Sequence, residues 1–91
     1  MSFEWDIPKA EANFRKHGVR FVEAAPIFED DFAITIEDHE SDSEEQRFVS
    51  IGIGAKNRVI VAVYCYRGNN IRIISARLAE PHERMQYEEN R

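Results

Sequence analysis

Along this chain apolar residues recur first at helical spacing and then at strand spacing. Phe3, Trp5 and Ile7 alternate with Glu4 and Asp6, the two-residue period of a short initial strand. Asp6 is placed to cap a helix with Pro8 in its first turn, where the missing N–H costs nothing. Ala10, Phe14 and His17 follow at helical spacing, and Gly18 after Lys16-His17 is a stop signal. Phe21, Ala24, Ala25 and Phe28 predict a second helix, which Pro26 limits to one or two turns or a kink. From residue 32 the period becomes two. Phe32–Glu37 and Arg47–Ile53 alternate, Arg58–Tyr66 is almost wholly apolar as in a central strand, and Ile71–Leu78 forms another. Gly54-Ala55-Lys56-Asn57 and Arg67-Gly68-Asn69-Asn70 read as turns, Glu37–Gln46 as a solvated acidic loop, and Pro81 opens a helix over about His82–Glu89. The expected architecture is α+β: an antiparallel sheet of about four strands, two short N-terminal helices and a C-terminal helix, in one domain over residues 1–91.

The last hairpin predicts a register. Gly68-Asn69 suits a two-residue loop, which sets Arg67 opposite Asn70, Cys65 opposite Arg72, Val63 opposite Ile74 and Val61 opposite Ala76. That face is apolar and is expected to pack on the helices. The opposite face then carries Arg58 and Arg77 as diagonal neighbours at one end, with Arg77 opposite Ile60. Two adjacent arginines need a carboxylate or a phosphate between them. Glu83 supplies the first, a phosphodiester ligand the second.

Composition narrows the setting. The 91 residues carry one cysteine, Cys65, so there is no internal disulfide framework, and no Cys/His spacing indicates zinc. Neither a signal peptide nor an apolar run long enough to span a membrane is present, so a cytoplasmic protein with no membrane partner is expected. The net charge of -5 hides an asymmetry. Residues 1–55 balance at -8, residues 56–84 at +4, and nine of the twelve basic side chains are Arg. The basic half is suited to forked contact with phosphate or carboxylate.

The ordered residues resemble a family. Phe3-Glu4-Trp5-Asp6, Lys9, Asn13, Lys16-His17-Gly18-Val19, Phe21 and Ala24 resemble the opening of the BrnT toxins of bacterial type II toxin–antitoxin pairs. Arg47, Val61-Ala62-Val63-Tyr64, Arg67 and Ile71-Arg72-Ile73-Ile74-Ser75-Ala76-Arg77 resemble its second half, and Glu83-Arg84 with Tyr87 its closing helix. Arg20, where the family often has a capping Ser, and Pro26 depart from the pattern. The resemblance implies a RelE-like fold and an endoribonuclease that stalls translation. It also implies a cognate antitoxin with a ribbon-helix-helix domain, DNA being met only through that partner. The rival expectation is a non-catalytic or degenerate module that keeps only the antitoxin interface.

Cleavage by a 2′-hydroxyl needs a base, a cation for the phosphorane and an acid for the leaving oxygen, with neither metal nor cofactor. Arg77 and Arg58 are the expected phosphorane donors, and Arg77 the residue expected to matter most. Tyr87, one helical turn after Glu83, can orient RNA or donate a proton. Glu83 is either a base or a structural partner of Arg77. Lys56, Arg67, Arg72, Arg84 and His17 complete the candidate RNA contacts, although His17 reads first as a helix C-terminal cap. Arg67 lies over 20 Å (~3.3 Å per residue) along the strand from the position opposite Arg77, too far to share its pocket. The basic face is also expected to meet the antitoxin.

Overall fold

The computed structural model describes residues 2–39 and 45–91. Its elements are β1 (Ser2–Glu4), α1 (Ile7–His17), α2 (Phe21–Ala24), β2 (Ile34–Asp38), β3 (Arg47–Ile53), β4 (Val59–Arg67), β5 (Asn70–Leu78) and α3 (Pro81–Glu89). Most of the local signals act as expected. The Asp6 side chain accepts from the Lys9 amide at 3.0 Å and starts α1. Gly18 ends it at φ 70° and returns its own N–H to the Phe14 carbonyl. Pro26 confines α2 to four residues, and the chain continues as a 3-10 turn over Ala25–Glu29. Arg20 gives α2 no side-chain cap. The acidic stretch from 40 to 44 lies outside the described residues.

The sheet has five strands rather than four, in the order β1-β5-β4-β3-β2. Its added member is β1, paired parallel to β5 through Ser2–Asn70, Phe3–Ile71 and Glu4–Arg72, so the sheet is mixed. Beyond Arg72 the outer edge of β5 is met by a side chain instead. Asn13 of α1 donates to the Ala76 carbonyl at 2.8 Å and accepts from the Ala76 N–H at 3.2 Å. Its amide also donates to the Val19 carbonyl, tying the end of α1 to the sheet.

The hairpin register holds only near the turn. Arg67–Asn70, Cys65–Arg72 and Tyr64–Ile73 pair as predicted, but an irregularity between Val63 and Tyr64 shifts everything beyond by one residue. Val63 meets Ser75, Val61 meets Arg77, and Ile60 meets Leu78. A one-residue shift exchanges the faces of β5. Ile60, Ala62 and Tyr64 of β4 therefore join Ile71, Ile73 and Ala76 beneath Val19, Phe21, Ala24 and Ile27, and this is the core. The expected assignment of faces is reversed: Val61, Val63 and Cys65 look away from the N-terminal helices.

The second face of the sheet is ordered in three cross-strand rows. Ile34, Ile51, Val61 and Arg77 form the first, and Ile36, Val49, Val63 and Ser75 the second. Asp38, Arg47, Cys65, Arg72 and Glu4 form the third, across all five strands. Helix α3 closes the first-row end. Its Tyr87 hydroxyl donates to Asp30 at 2.6 Å, and the same carboxylate oxygen accepts from the Ile53 amide. Gly54 fits between layers that leave no room for a side chain: a Cβ there would lie 2.5 Å from Ile60 and 2.7 Å from the Glu23 carbonyl.

Candidate functional site

Arg58 and Arg77 lie on opposite faces of the sheet rather than as the diagonal neighbours expected. Arg58 precedes β4 on the helix side, where its guanidinium makes two hydrogen bonds to Glu23 at 2.8 and 2.7 Å. Glu23 is only 4% exposed, so this pair fastens α2 to the start of β4. Arg77 stands on the second face and makes its own fork to Glu83 of α3, at 2.7 and 2.8 Å. The bulge puts the sheet between these two arginines.

Glu83 is correspondingly committed. The Arg77 guanidinium holds its carboxyl down at about 2 against the opposing effect of burial, helped by the Glu80 backbone N–H. That N–H donates to Glu83 at 2.8 Å and completes a capping box at the start of α3. A carboxylate of such low basicity is a poor proton acceptor near neutral pH. The geometry favours the structural alternative left open for Glu83. Tyr87 is buried, and burial together with the Asp30 carboxylate pushes its phenol up to about 12. It stays protonated and donates a hydrogen bond to Asp30.

A cationic cluster lies at the opposite end of the second face. In the third row Arg47 and Arg72 flank Cys65 on adjacent strands, which puts their Cα atoms about 10 Å apart at normal strand spacing. Arg67, at the hairpin, and Lys9, in the first turn of α1, border the same cleft of about 120 Å³. The Nε of Arg47 is buried with no hydrogen-bond partner among the described residues. Two carboxylates, Asp6 and Glu45, also line this cleft. Glu45 accepts from Arg67 at 2.7 and 3.3 Å and from the Cys65 thiol at 3.3 Å. Those donors hold its carboxyl below the usual range, Arg67 contributing most. Arg72 lies 3.5 Å from Glu4, a looser contact than the forks at Arg58 and Arg77. Burial pushes the Cys65 thiol up, so it acts as a neutral donor.

The remaining candidates are dispersed. Lys56 is exposed in the turn before β4, and His17 closes α1. Arg84 is exposed beside a separate cleft of about 400 Å³ that Arg58 and Tyr87 also line. Among the described residues no group of three or more His, Cys, Asp and Glu side chains is gathered to hold a metal. No helix is long and apolar enough to cross a membrane.

This arrangement of mixed sheet, N-terminal helices and closing helix matches proteins of known activity. Residues 5–83 match the family model of the ribonuclease toxin BrnT of type II toxin–antitoxin systems. The chain belongs to the BrnT family. Its fold superposes on the crystal structure of the Brucella abortus ribonuclease toxin BrnT with a TM-score of 0.69 and 26% identity. The alignment covers 88% of this chain and 97% of that one. No curated protein matches the sequence. The BrnT assignment makes the chain a ribonuclease toxin with a cognate antitoxin as its partner.

Within this BrnT chain, Arg67 and Arg72 were visible as candidate contacts, whereas Arg47 and Lys9 were seen only as parts of the family pattern. The signal for Arg47 is the second hairpin. Extending its register sets Arg47 opposite Cys65, and hence in one row with Arg72.

Proposed function

We propose that this BrnT chain binds and cleaves RNA at the cleft formed by Arg47, Arg67, Arg72 and Lys9. The observation that carries this reading is the convergence of four cations from α1, β3, β4 and β5 on one cleft. Arg58 and Arg77 are forked by the largely buried carboxylates Glu23 and Glu83, whereas the fork on Arg67 comes from the exposed Glu45. A phosphodiester entering the cleft displaces Glu45 from Arg67 and gains the free Arg47 Nε. The 2′-hydroxyl of the RNA attacks its own phosphorus and the bond to the 5′ oxygen breaks, giving a 2′,3′-cyclic phosphate. The guanidinium forks stabilise the extra charge of the phosphorane, and water carries the protons away from the nucleophile and to the leaving oxygen. Blocking translation by cleaving RNA, and neutralisation by a ribbon-helix-helix antitoxin that alone touches DNA, complete the reading.

The nucleophile belongs to the RNA and arginine supplies the charge, so metal has no assigned step. The purified chain is expected to cleave a defined RNA in the presence of EDTA, leaving 2′,3′-cyclic phosphate ends. Loss of cleavage in EDTA with rescue by Mg²⁺ or Zn²⁺, or 3′-hydroxyl products, would defeat this mechanism. A chain that binds antitoxin and cleaves nothing is the non-catalytic module.

A further inference from the structure

The second face of the sheet is apolar where it is not cationic. Between the arginine row and α3, Ile34, Ile36, Val49 and Ile51 border a groove of about 350 Å³, closed at its far end by Gln86 and Glu89. Ile36 is 60% exposed. It lies on β2, an outer strand of the sheet. The N-terminal helices cover the other face, and α3 reaches only the first-row end of this one.

Isoleucine and valine on a flat sheet offer nothing to a polyanionic RNA backbone, so the apolar rows are not an extension of the RNA cleft. A second copy of this chain seated here would cover the toxin's own arginine row. The family assigns this chain a protein antitoxin, and one that covered the arginine row would inhibit directly. We infer that the Ile36–Val49–Ile51 groove is the docking surface for a segment of the cognate antitoxin, whose carboxylates reach Arg47, Arg67 and Arg72.

Charge complementarity fixes the polarity of that segment. Arg47 lies four residues along β3 from Ile51, about 13 Å at strand rise. The segment therefore carries apolar residues at one end and acidic residues about 13 Å away, about nine positions in a helix or four in a strand. Its acidic end enters where Glu45 now sits. The apolar contact supplies affinity and the acidic end supplies inhibition, so association weakens as salt rises. The inhibitory half of this inference rests on the arginine row being the RNA site. The choice of occupant rests on it too, whereas the affinity measurement does not.

Ile36→Glu tests it, with Ile36→Ser as a milder partner and Val22→Glu, on the helix-covered side and also 60% exposed, as the control. Each variant is melted, then titrated with the cognate antitoxin purified from co-expression, and assayed for RNA cleavage alone. Ile36→Glu should lose antitoxin affinity about 30-fold or more, the effect of a central apolar anchor. It should cleave RNA as the wild type does, leaving a toxin the antitoxin no longer restrains, while Val22→Glu binds normally. Wild-type affinity in both Ile36 variants overturns the docking surface, as does binding lost only in Val22→Glu. So does a wild-type dimer that Ile36→Glu splits without changing antitoxin affinity, because a second copy then occupies the face. If Ile36→Glu loses affinity but antitoxin and RNA bind the wild type together, docking stands and the arginine-row reading fails.

Discussion

Arg77 and Glu83, both candidates for the chemistry in the sequence, form a forked ion pair that ties the fold together. The pair joins β5 to α3, and Glu83 also receives the Glu80 amide. Because the folded carboxyl sits at about 2, below its ordinary 4.5, it stabilises the fold above pH 4.5. That contribution is lost as pH falls from about 4.5 towards 2. After discounting for solvent at the 37%-exposed Arg77, the contribution is on the order of 2 kcal/mol. Glu83→Gln should lower the melting temperature at pH 7 and flatten its fall between about pH 5 and pH 2. Wild-type and variant melting curves that run parallel through this range would exclude Glu83 as the acid-sensitive tie. The possibility of an Arg77–Glu83 pair was legible from spacing alone. Its forked geometry was not, because that depends on which face of β5 Arg77 occupies.

At the scale of elements, caps and breakers were legible because they act locally: Asp6, Gly18, Pro26 and Gly68 each work within a few residues. The bulge was not, since no Gly or Pro marks it in Ile73-Ile74-Ser75-Ala76. Nor could alternation decide which side of β4 meets the helices. Its odd positions, Val59, Val61 and Val63, are as apolar as Ile60 and Ala62, because the second face is apolar as well. The parallel pairing of β1 with β5 joins positions 68 residues apart, beyond any local signal. Asn13 is the element-scale counterpart of a missing strand. Its amide makes three buried hydrogen bonds to backbone groups of Val19 and Ala76. Asn13→Ala strands those groups and should cost about 2–4 kcal/mol, read as a lower denaturation midpoint with unchanged slope. A midpoint within error of wild type would mean that water replaces the amide.

Over the whole molecule, the fold separates two kinds of surface that the net charge of -5 conceals. One face of the sheet is sealed by α1, α2 and the 3-10 turn. The other carries a cationic row at one end and an ion-paired helix at the other, with apolar rows between. The family was legible from its ordered motifs, and the family model and the Brucella toxin fold agree with it. The expected shared face of Arg58 and Arg77 was not legible, because one inserted residue turned Arg77 over. Arg67 provides the cleanest comparison. It is 49% exposed and paired to a 44%-exposed Glu45, so truncating it leaves the fold intact. The decisive measurement is single-turnover cleavage of a defined RNA by Arg67→Ala and Arg77→Lys, each with its melting temperature. Arg67→Ala should melt as the wild type and cleave on the order of 10²-fold more slowly. Arg77→Lys should cleave at a rate near wild type in the fraction that stays folded. Wild-type cleavage by Arg67→Ala, with a normally melting Arg77→Lys inactive, would contradict the account and return the chemistry to the α3 end of the sheet.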